Sequence, residues 1–329
     1  MPKSKLVTIF GGSGFLGRYV ARRMAQDGWR VRVACRHPND AIFVRTYGVV
    51  GQVEPVFCNI RDDDSVRNVT TGADAVVNCV GVLAESGKNS FEAVQTEGAE
   101  RIARMAAAEG VGALVHVSAI GADSGSRSKY ARTKAAGEAA ILEAYPGAVI
   151  LRPSIIFGHE DGFFNRFAQM TRFGPVLPVV GAGTRFQPVY VDDVAHAAFK
   201  AVKGEVAPGT YELGGPDVNS FRELMDYMLE VIARRRLVLN IPFFAAHVIG
   251  ALSELVTKLT LGVIPAQITR DQVANLRTDN VVSGEARGFA DLGIEPTSME
   301  AVLPDYLWRF RPSGQYFDIK KSAESLKRR

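Results

Sequence analysis

Three side chains in the first half of the chain are of the types that can hold or move a proton: Ser118, Tyr130 and Lys134. Tyr130 and Lys134 stand four apart, so on a helix they project from one face, and Ser118 closes the apolar run that precedes it. An ammonium beside a phenol favours the phenolate, which makes the tyrosine a usable acid or base, while a serine hydroxyl can hold a substrate oxygen. The same residues also admit a binding role without chemistry, with Tyr130 packed on a sheet and Lys134 hydrogen-bonded to a ribose.

A second constellation lies at the start of the chain. The apolar run Leu6 to Phe10 stops at Gly11-Gly12-Ser13-Gly14-Phe15-Leu16-Gly17 and restarts as a helix with Leu16, Val20 and Met24 on one face. Gly11, Gly14 and Gly17 fall where a turn must bend, a backbone must approach a pyrophosphate, and a helix must press on a strand without a Cβ between. The first-turn N–H groups of that helix would face the phosphates. The next strand ends in Cys35-Arg36-His37, with no carboxylate to bond a ribose 2′-hydroxyl; Arg36, helped by Arg18, suits a 2′-phosphate, which favours NADP over NAD. Asn59 and Ile60, with Arg61 and Asp62, are placed to meet the adenine. Asn78, Val80 and Gly81, with Cys79 among them, are placed to pass beneath the cofactor.

These residues need a scaffold of alternating elements, and the pattern supplies one. Val31 to Ala34, Val53 to Phe57, Ala75 to Val80, Ala113 to Val117 and Ala148 to Leu151 read as buried strands, and Phe15 to Asp27, Ser90 to Glu109 and Lys129 to Glu143 as helices. Apolar runs without strict alternation demand a parallel sheet covered on both faces, so the expected fold is a doubly wound α/β Rossmann domain over residues 1–154. After Arg152-Pro153-Ser154 the regularity breaks into a Phe- and Gly-rich stretch suited to a lid, opening a smaller α/β lobe over 155–315. Within it, 188–204 is expected to return to the core sheet, with Val189 to Val194 a strand running into a helix capped by Asp192. Ser220 and Glu223 have the spacing of a capping box. Residues 242–261 form the most apolar helical stretch; core packing is its default reading, with partner docking and an interfacial membrane position as the others.

Composition narrows the classes. With 329 residues, 47% hydrophobic and 22% charged, the chain is an ordinary globular one able to bury a large core. No run reaches the ~18 uninterrupted apolar residues of a spanning helix. The net charge of +4 is modest, and residues 320–329 hold five basic side chains against one Glu, so the tail (316–329) reads equally as a docking tail or a solvated, frayed terminus, and a nucleic-acid surface is not expected. Cys35, Cys58 and Cys79 lack CxxC spacing and neighbouring His, reading as small core residues in a reducing compartment, with no metal site. The first strand starts almost at Met1, leaving no room for a presequence, so a bacterial cytosolic protein or a processed chain is expected.

The series Gly11 to Gly17, Asn78 to Gly81, Ser118, Tyr130-Ala131-Arg132-Thr133-Lys134 and Arg152-Pro153-Ser154 resembles the extended or atypical short-chain dehydrogenase/reductase family over nearly the whole chain. That resemblance implies NAD(P) held by the glycine loop, Ser/Tyr/Lys chemistry where the triad is competent, and nicotinamide contacts from the segment after Arg152. The twelve-residue step from Ser118 to Tyr130 is shorter than catalytic extended members usually carry, and Cys79 and Val80 replace the small residues common after the Asn. Tyr130 to Glu138, Ile156 to Asp161, Arg172 to Pro175, Gln187 to Val194 and Ile268 to Asp271 further resemble the nucleotide-binding accessory subunits of respiratory complex I. This branch implies NADPH held structurally without turnover, contact with other complex I subunits, and a position on the cytoplasmic face of a bacterial inner membrane, or the matrix side after removal of a presequence. The 242–261 helix and the basic tail then become candidates for docking on partners or lipid headgroups. Two other functions use the same pocket: an NADP-dependent reductase or epimerase with Tyr130 as acid, and a sensor of the NADP/NADPH ratio.

Overall fold

The computed structural model describes residues 4–260, 268–317, 319–320 and 322–323. β1 (Leu6–Phe10) is buried at every position, so its backbone groups must be paired on both sides. It is followed by α1 (Phe15–Gln26), β2 (Arg30–Cys35), β3 (Val53–Phe57), α2 (Asp63–Thr70), β4 (Ala75–Asn78), α3 (Glu97–Ala108), β5 (Ala113–Val117), α4 (Lys129–Ala144) and β6 (Val149–Pro153). Beyond these come β7 (Ile156–Phe157), α5 (Phe164–Met170), β8 (Val176–Val180), β9 (Arg185–Phe186), β10 (Val189–Tyr190), α6 (Val191–Val202) and β11 (Gly209–Leu213). The main sheet has the order β11-β6-β5-β4-β1-β2-β3, every pair parallel.

Alternate residues of each strand feed opposite faces. Val7 and Ile9 pack with Val20 and Met24 of α1 and Val194 and Ala198 of α6, while Phe10, Val76, Leu114 and Ile150 pack with Val66 of α2, Ile102 of α3 and Ile141 of α4. Helices on both faces make the sheet doubly wound, the fold class expected, and the chain ends its strands β1 to β6 on one common edge where loops can converge.

Local departures have local causes. α2 went unread because its segment is polar; Asp62 caps it by accepting the Ser65 N–H at 2.7 Å. The helix expected from Ser90 opens as one π-helical turn, Glu92–Thr96, before α3. Residues 191–202 return to the core as a helix, and the strand that joins the sheet is β11, farther along. Asp192 does not cap α6: the cap position is Tyr190, and Asp192 instead takes a bidentate ion pair from Arg23 of α1 at 2.7 and 2.8 Å.

The lobe adds β12 (Asn219–Ser220), α7 (Phe221–Val231), β13 (Leu237–Ile241), α8 (Phe243–Leu259), α9 (Arg270–Asn275) and α10 (Met299–Leu307). Short pairings of β10 with β7, β12 with β9 and β13 with β8 link it, and Phe157, Phe164, Leu177, Phe221, Met225 and Leu303 form its own core. The Ser220/Glu223 capping box forms as its spacing requires. The default reading of 242–261 as core is overturned. On α8 Ala246 is buried, but Phe244, Leu252 and Leu259 are 74%, 58% and 75% exposed, because only a narrow side of the helix meets the lobe. Among the described residues no helix is long and apolar enough to cross a membrane. Leu261 and the tail end 324–329 lie outside the described residues.

Candidate functional site

The glycine loop is built as its spacing demands. Gly11 has φ +72°, a left-handed backbone, and a Cβ there would crowd the Cys79 backbone at 3.2 Å. Its N–H donates to the Ala34 carbonyl at 2.9 Å and its own carbonyl accepts from Gly14 at 2.9 Å, so the loop hangs between β2 and α1. A Cβ on Gly17 would overlap the Gly11 carbonyl. Gly14 occupies the cap position of α1 and brings no side-chain acceptor to its first-turn amides, which suits a phosphate. Gly12 lies against Ile9, Leu16 is buried in the core, and the Phe15 ring meets Tyr19 edge-on at 6.2 Å.

Beside the loop the two arginines differ. Arg18 is held: it donates to the Ser13 carbonyl at 3.2 Å, approaches Glu160 at 3.5 Å and lies 4.9 Å over the Phe43 ring. Arg36 is exposed at the end of β2, and its guanidinium has no partner among the described residues. The stretch expected at the adenine is largely occupied with its own loop. Asn59 Oδ1 accepts from the Arg61 N–H at 3.2 Å, the Ile60 carbonyl accepts from Arg101 at 3.0 Å, Arg61 reaches the Lys88 carbonyl at 3.0 Å, and Asp62 is the α2 cap.

At the end of β4, Asn78 is buried and fixed from both ends of its amide. Oδ1 accepts from the Val80 N–H at 3.0 Å and Nδ2 donates to His116 Nδ1 at 3.1 Å. Because Nδ2 can only donate, Nδ1 of His116 must accept, so the ring is neutral; burial pushes its pKa well below the usual range. His116 escaped the sequence reading since a lone histidine in an apolar strand looks like core. Val80 packs against the core on the α3 side, and a Cβ on Gly81 would sit 3.6 Å from Lys134 Nζ.

Ser118 follows β5, and Tyr130 and Lys134 lie in the first turns of α4, but their electrostatics are not those expected. Lys134 Nζ donates to the Val117 carbonyl at 3.1 Å, and burial pushes the ammonium down to about 8. Burial alone acts on the Tyr130 phenol and pushes it up to about 12, the opposite of the depression a neighbouring lysine would produce. Its ring meets Phe91 edge-on at 5.8 Å. Among the described residues the buried Ser118 Oγ has no hydrogen-bond partner, an orphaned polar atom of the kind a ligand satisfies. The Cys79 thiol is pushed up to about 12 by burial.

The last two residues of β6 and Ser154 after it have partners within the protein. Arg152 is ion-paired with Glu138, at 3.0 and 2.5 Å, and approaches Glu212 at 3.6 Å. Pro153 is paired in register with Leu213 of β11. Ser154 Oγ donates to Asn280 Oδ1 at 2.7 Å, and Asn280 Nδ2 reaches back to the Ile120 carbonyl at 3.2 Å. Asn280 and Asp271, which caps α4, were missed because they come from the far end of the chain; only the fold brings them here.

A family model described as "NAD dependent epimerase/dehydratase family" matches residues 7–214, from β1 through β11. The chain belongs to this family. Among its relatives is the mitochondrial "NADH dehydrogenase [ubiquinone] 1 alpha subcomplex subunit 9" of Arabidopsis thaliana, 36% identical over 319 residues, covering 95% of this chain and 79% of that protein. The "NADH-ubiquinone oxidoreductase 40 kDa subunit" of Neurospora crassa is 30% identical, covering 98% and 83%. The solved UDP-glucose 4-epimerase of Thermus thermophilus, in complex with NAD, superposes with a TM-score of 0.67 at 19% identity, covering 94% of this chain and 99% of that one. The glycine loop and the Ser/Tyr/Lys set thus fall inside the part matched to the epimerase/dehydratase family.

Proposed function

We propose that the protein is an NADPH-holding accessory subunit of a respiratory NADH:quinone oxidoreductase, seated where the peripheral arm meets the membrane arm, without turnover of its own. The observation that carries this reading is the near full-length likeness to complex I subunits, beside a Lys134 ammonium engaged by the Val117 carbonyl.

The exposed Arg36 at the end of β2, without a partner among the described residues, supports a 2′-phosphate and therefore NADPH, bound by Gly11 to Gly17, Arg18 and the ends of β4 and β5. The exposed apolar side of α8 supports docking on other subunits, with lipid headgroups beside it and the basic tail, on the cytoplasmic face of a bacterial inner membrane or the matrix side of a mitochondrial one.

Native electrophoresis of gently solubilised membranes tests the assembly. The protein should migrate with NADH:quinone oxidoreductase activity, and migration always apart from it would end the reading. Acid denaturation of the purified protein should release NADPH identifiable by mass, and that NADPH should survive incubation with a panel of carbonyl compounds. Its steady oxidation would replace this reading with a reductase.

A further inference from the structure

α4, which carries Tyr130 and Lys134, brings no acidic residue to its own first turn. The missing carboxylate arrives from the other end of the chain. Asp271 Oδ1 accepts the Lys129 N–H at 2.6 Å, and Oδ2 accepts the Ser128 hydroxyl at 2.8 Å and the Tyr130 N–H at 3.2 Å. Ser128 Oγ in turn accepts the Ala131 N–H at 3.3 Å. One side chain of α9 therefore satisfies the orphan donors at the start of α4 and places a negative charge at the positive end of its dipole.

α9 is itself tied in two directions. Its first turn is locked by the Thr269/Gln272 capping box, and Gln272 Nε2 donates to the Leu83 carbonyl at 3.2 Å, just beyond Gly81. On the other side Glu254 of α8 accepts the Arg270 N–H at 2.8 Å and Arg270 Nε at 2.9 Å. A continuous chain of directional contacts thus runs from the first turn of α4 through Asp271 and Arg270 to Glu254 and the exposed apolar helix.

We infer that Asp271 is a positioning residue that couples the nucleotide site to α8, so that a bound nucleotide holds α8 in place and a held α8 tightens the nucleotide. The inference rests on the proposed nucleotide site. The coupling is reciprocal because both events bias one set of contacts, and a ligand at either end shifts the other by the same factor. It also gives the nucleotide a purpose without turnover, as a brace for α8.

Hydrogen exchange of the full chain with and without NADPH tests it. In the wild-type protein NADPH should slow exchange in the first turn of α4, in α9 and in α8. In Asp271→Ala NADPH should bind about tenfold more weakly, and when saturating it should protect α4 while leaving α8 and α9 as they are without it. Glu254→Gln guards against a variant that fails to fold: its NADPH affinity should stay within about twofold and α9 should remain protected, while the protection of α8 is lost. Equal protection of α8 in wild type and variants, or none in wild type with NADPH bound, overturns the coupling. Failure of the wild-type protein to bind NADPH at all overturns the nucleotide site first, and the coupling with it.

Discussion

Lys134 Nζ donates to the backbone carbonyl of Val117 at 3.1 Å, with its ammonium buried and its pKa pushed down from 10.5 to about 8. A depressed lysine pKa means that the fold binds this proton less tightly than the unfolded chain does. Its contribution to stability is therefore full above 10.5 and falls away as pH drops toward 8. Lys134→Met should stabilise the nucleotide-free protein at pH 7 by about 1–3 kcal/mol, while weakening nucleotide binding. The difference between variant and wild type should shrink as pH rises from 8 to 10.5. Urea unfolding across that range measures it, and a pH-independent difference would mean that the ammonium is not desolvated.

Arg152 and Glu138 form an ion pair inside the α4 face of the sheet, with Glu138 almost wholly buried. Removing one partner leaves an uncompensated buried charge, so Arg152→Met should cost about 3–5 kcal/mol. Adding Glu138→Gln should recover most of that loss. If the single variant instead lost nucleotide affinity at unchanged stability, Arg152 would belong to the nucleotide site after all.

Arg36→Ala removes an exposed guanidinium that has no partner among the described residues, so the melting temperature should not move. Loss of a charge-assisted contact to a 2′-phosphate should weaken NADPH by about 10- to 100-fold and leave NADH unchanged. Titration calorimetry with both nucleotides reads the ratio, and equal losses for the two would remove Arg36 from the site.

Ser118→Ala deletes a buried hydroxyl that has no partner among the described residues. Without nucleotide the variant should be as stable as wild type or up to about 1 kcal/mol more so. With nucleotide the order should reverse, because the hydroxyl then has something to bond. Thermal denaturation in both conditions separates this from a purely structural serine, which would lose stability in both.

The strands and helices of the Rossmann core were legible because hydrophobic periodicity is local: Leu6 to Phe10 can only be a fully covered strand, and Gly11, Gly14 and Gly17 can only be that close at a turn. The site was legible as far as its residues sit at strand ends. What escaped was long-range. Nothing near Arg152 in sequence announces that Glu138 and Glu212 will take its charge, and nothing near Tyr130 announces Asp271. The Tyr130 phenol moved against expectation because spacing tells which face two residues share, not which way a flexible lysine turns once a carbonyl competes for it. The burial of 242–261 was misjudged because apolar character says what a helix avoids, and not whether its partner belongs to the same chain.

The parallel sheet is closed by a strand that arrives late. β11 pairs with β6 only after the lobe segments from Ile156 to Val202 have been made, and α6, the packing partner of α1, lies in the same interval. At ribosomal rates of about 5–20 residues per second, the roughly 60 residues from Pro153 to Leu213 take about 3–12 s. Through that time the nascent glycine-loop half carries a bare sheet edge and an uncovered helix face, the condition in which strands pair wrongly. Synthesis order therefore makes the glycine-loop half a client of its own downstream sequence: a truncated chain ending near residue 154 should need chaperones, and the division into two lobes is one of shape and not of folding units.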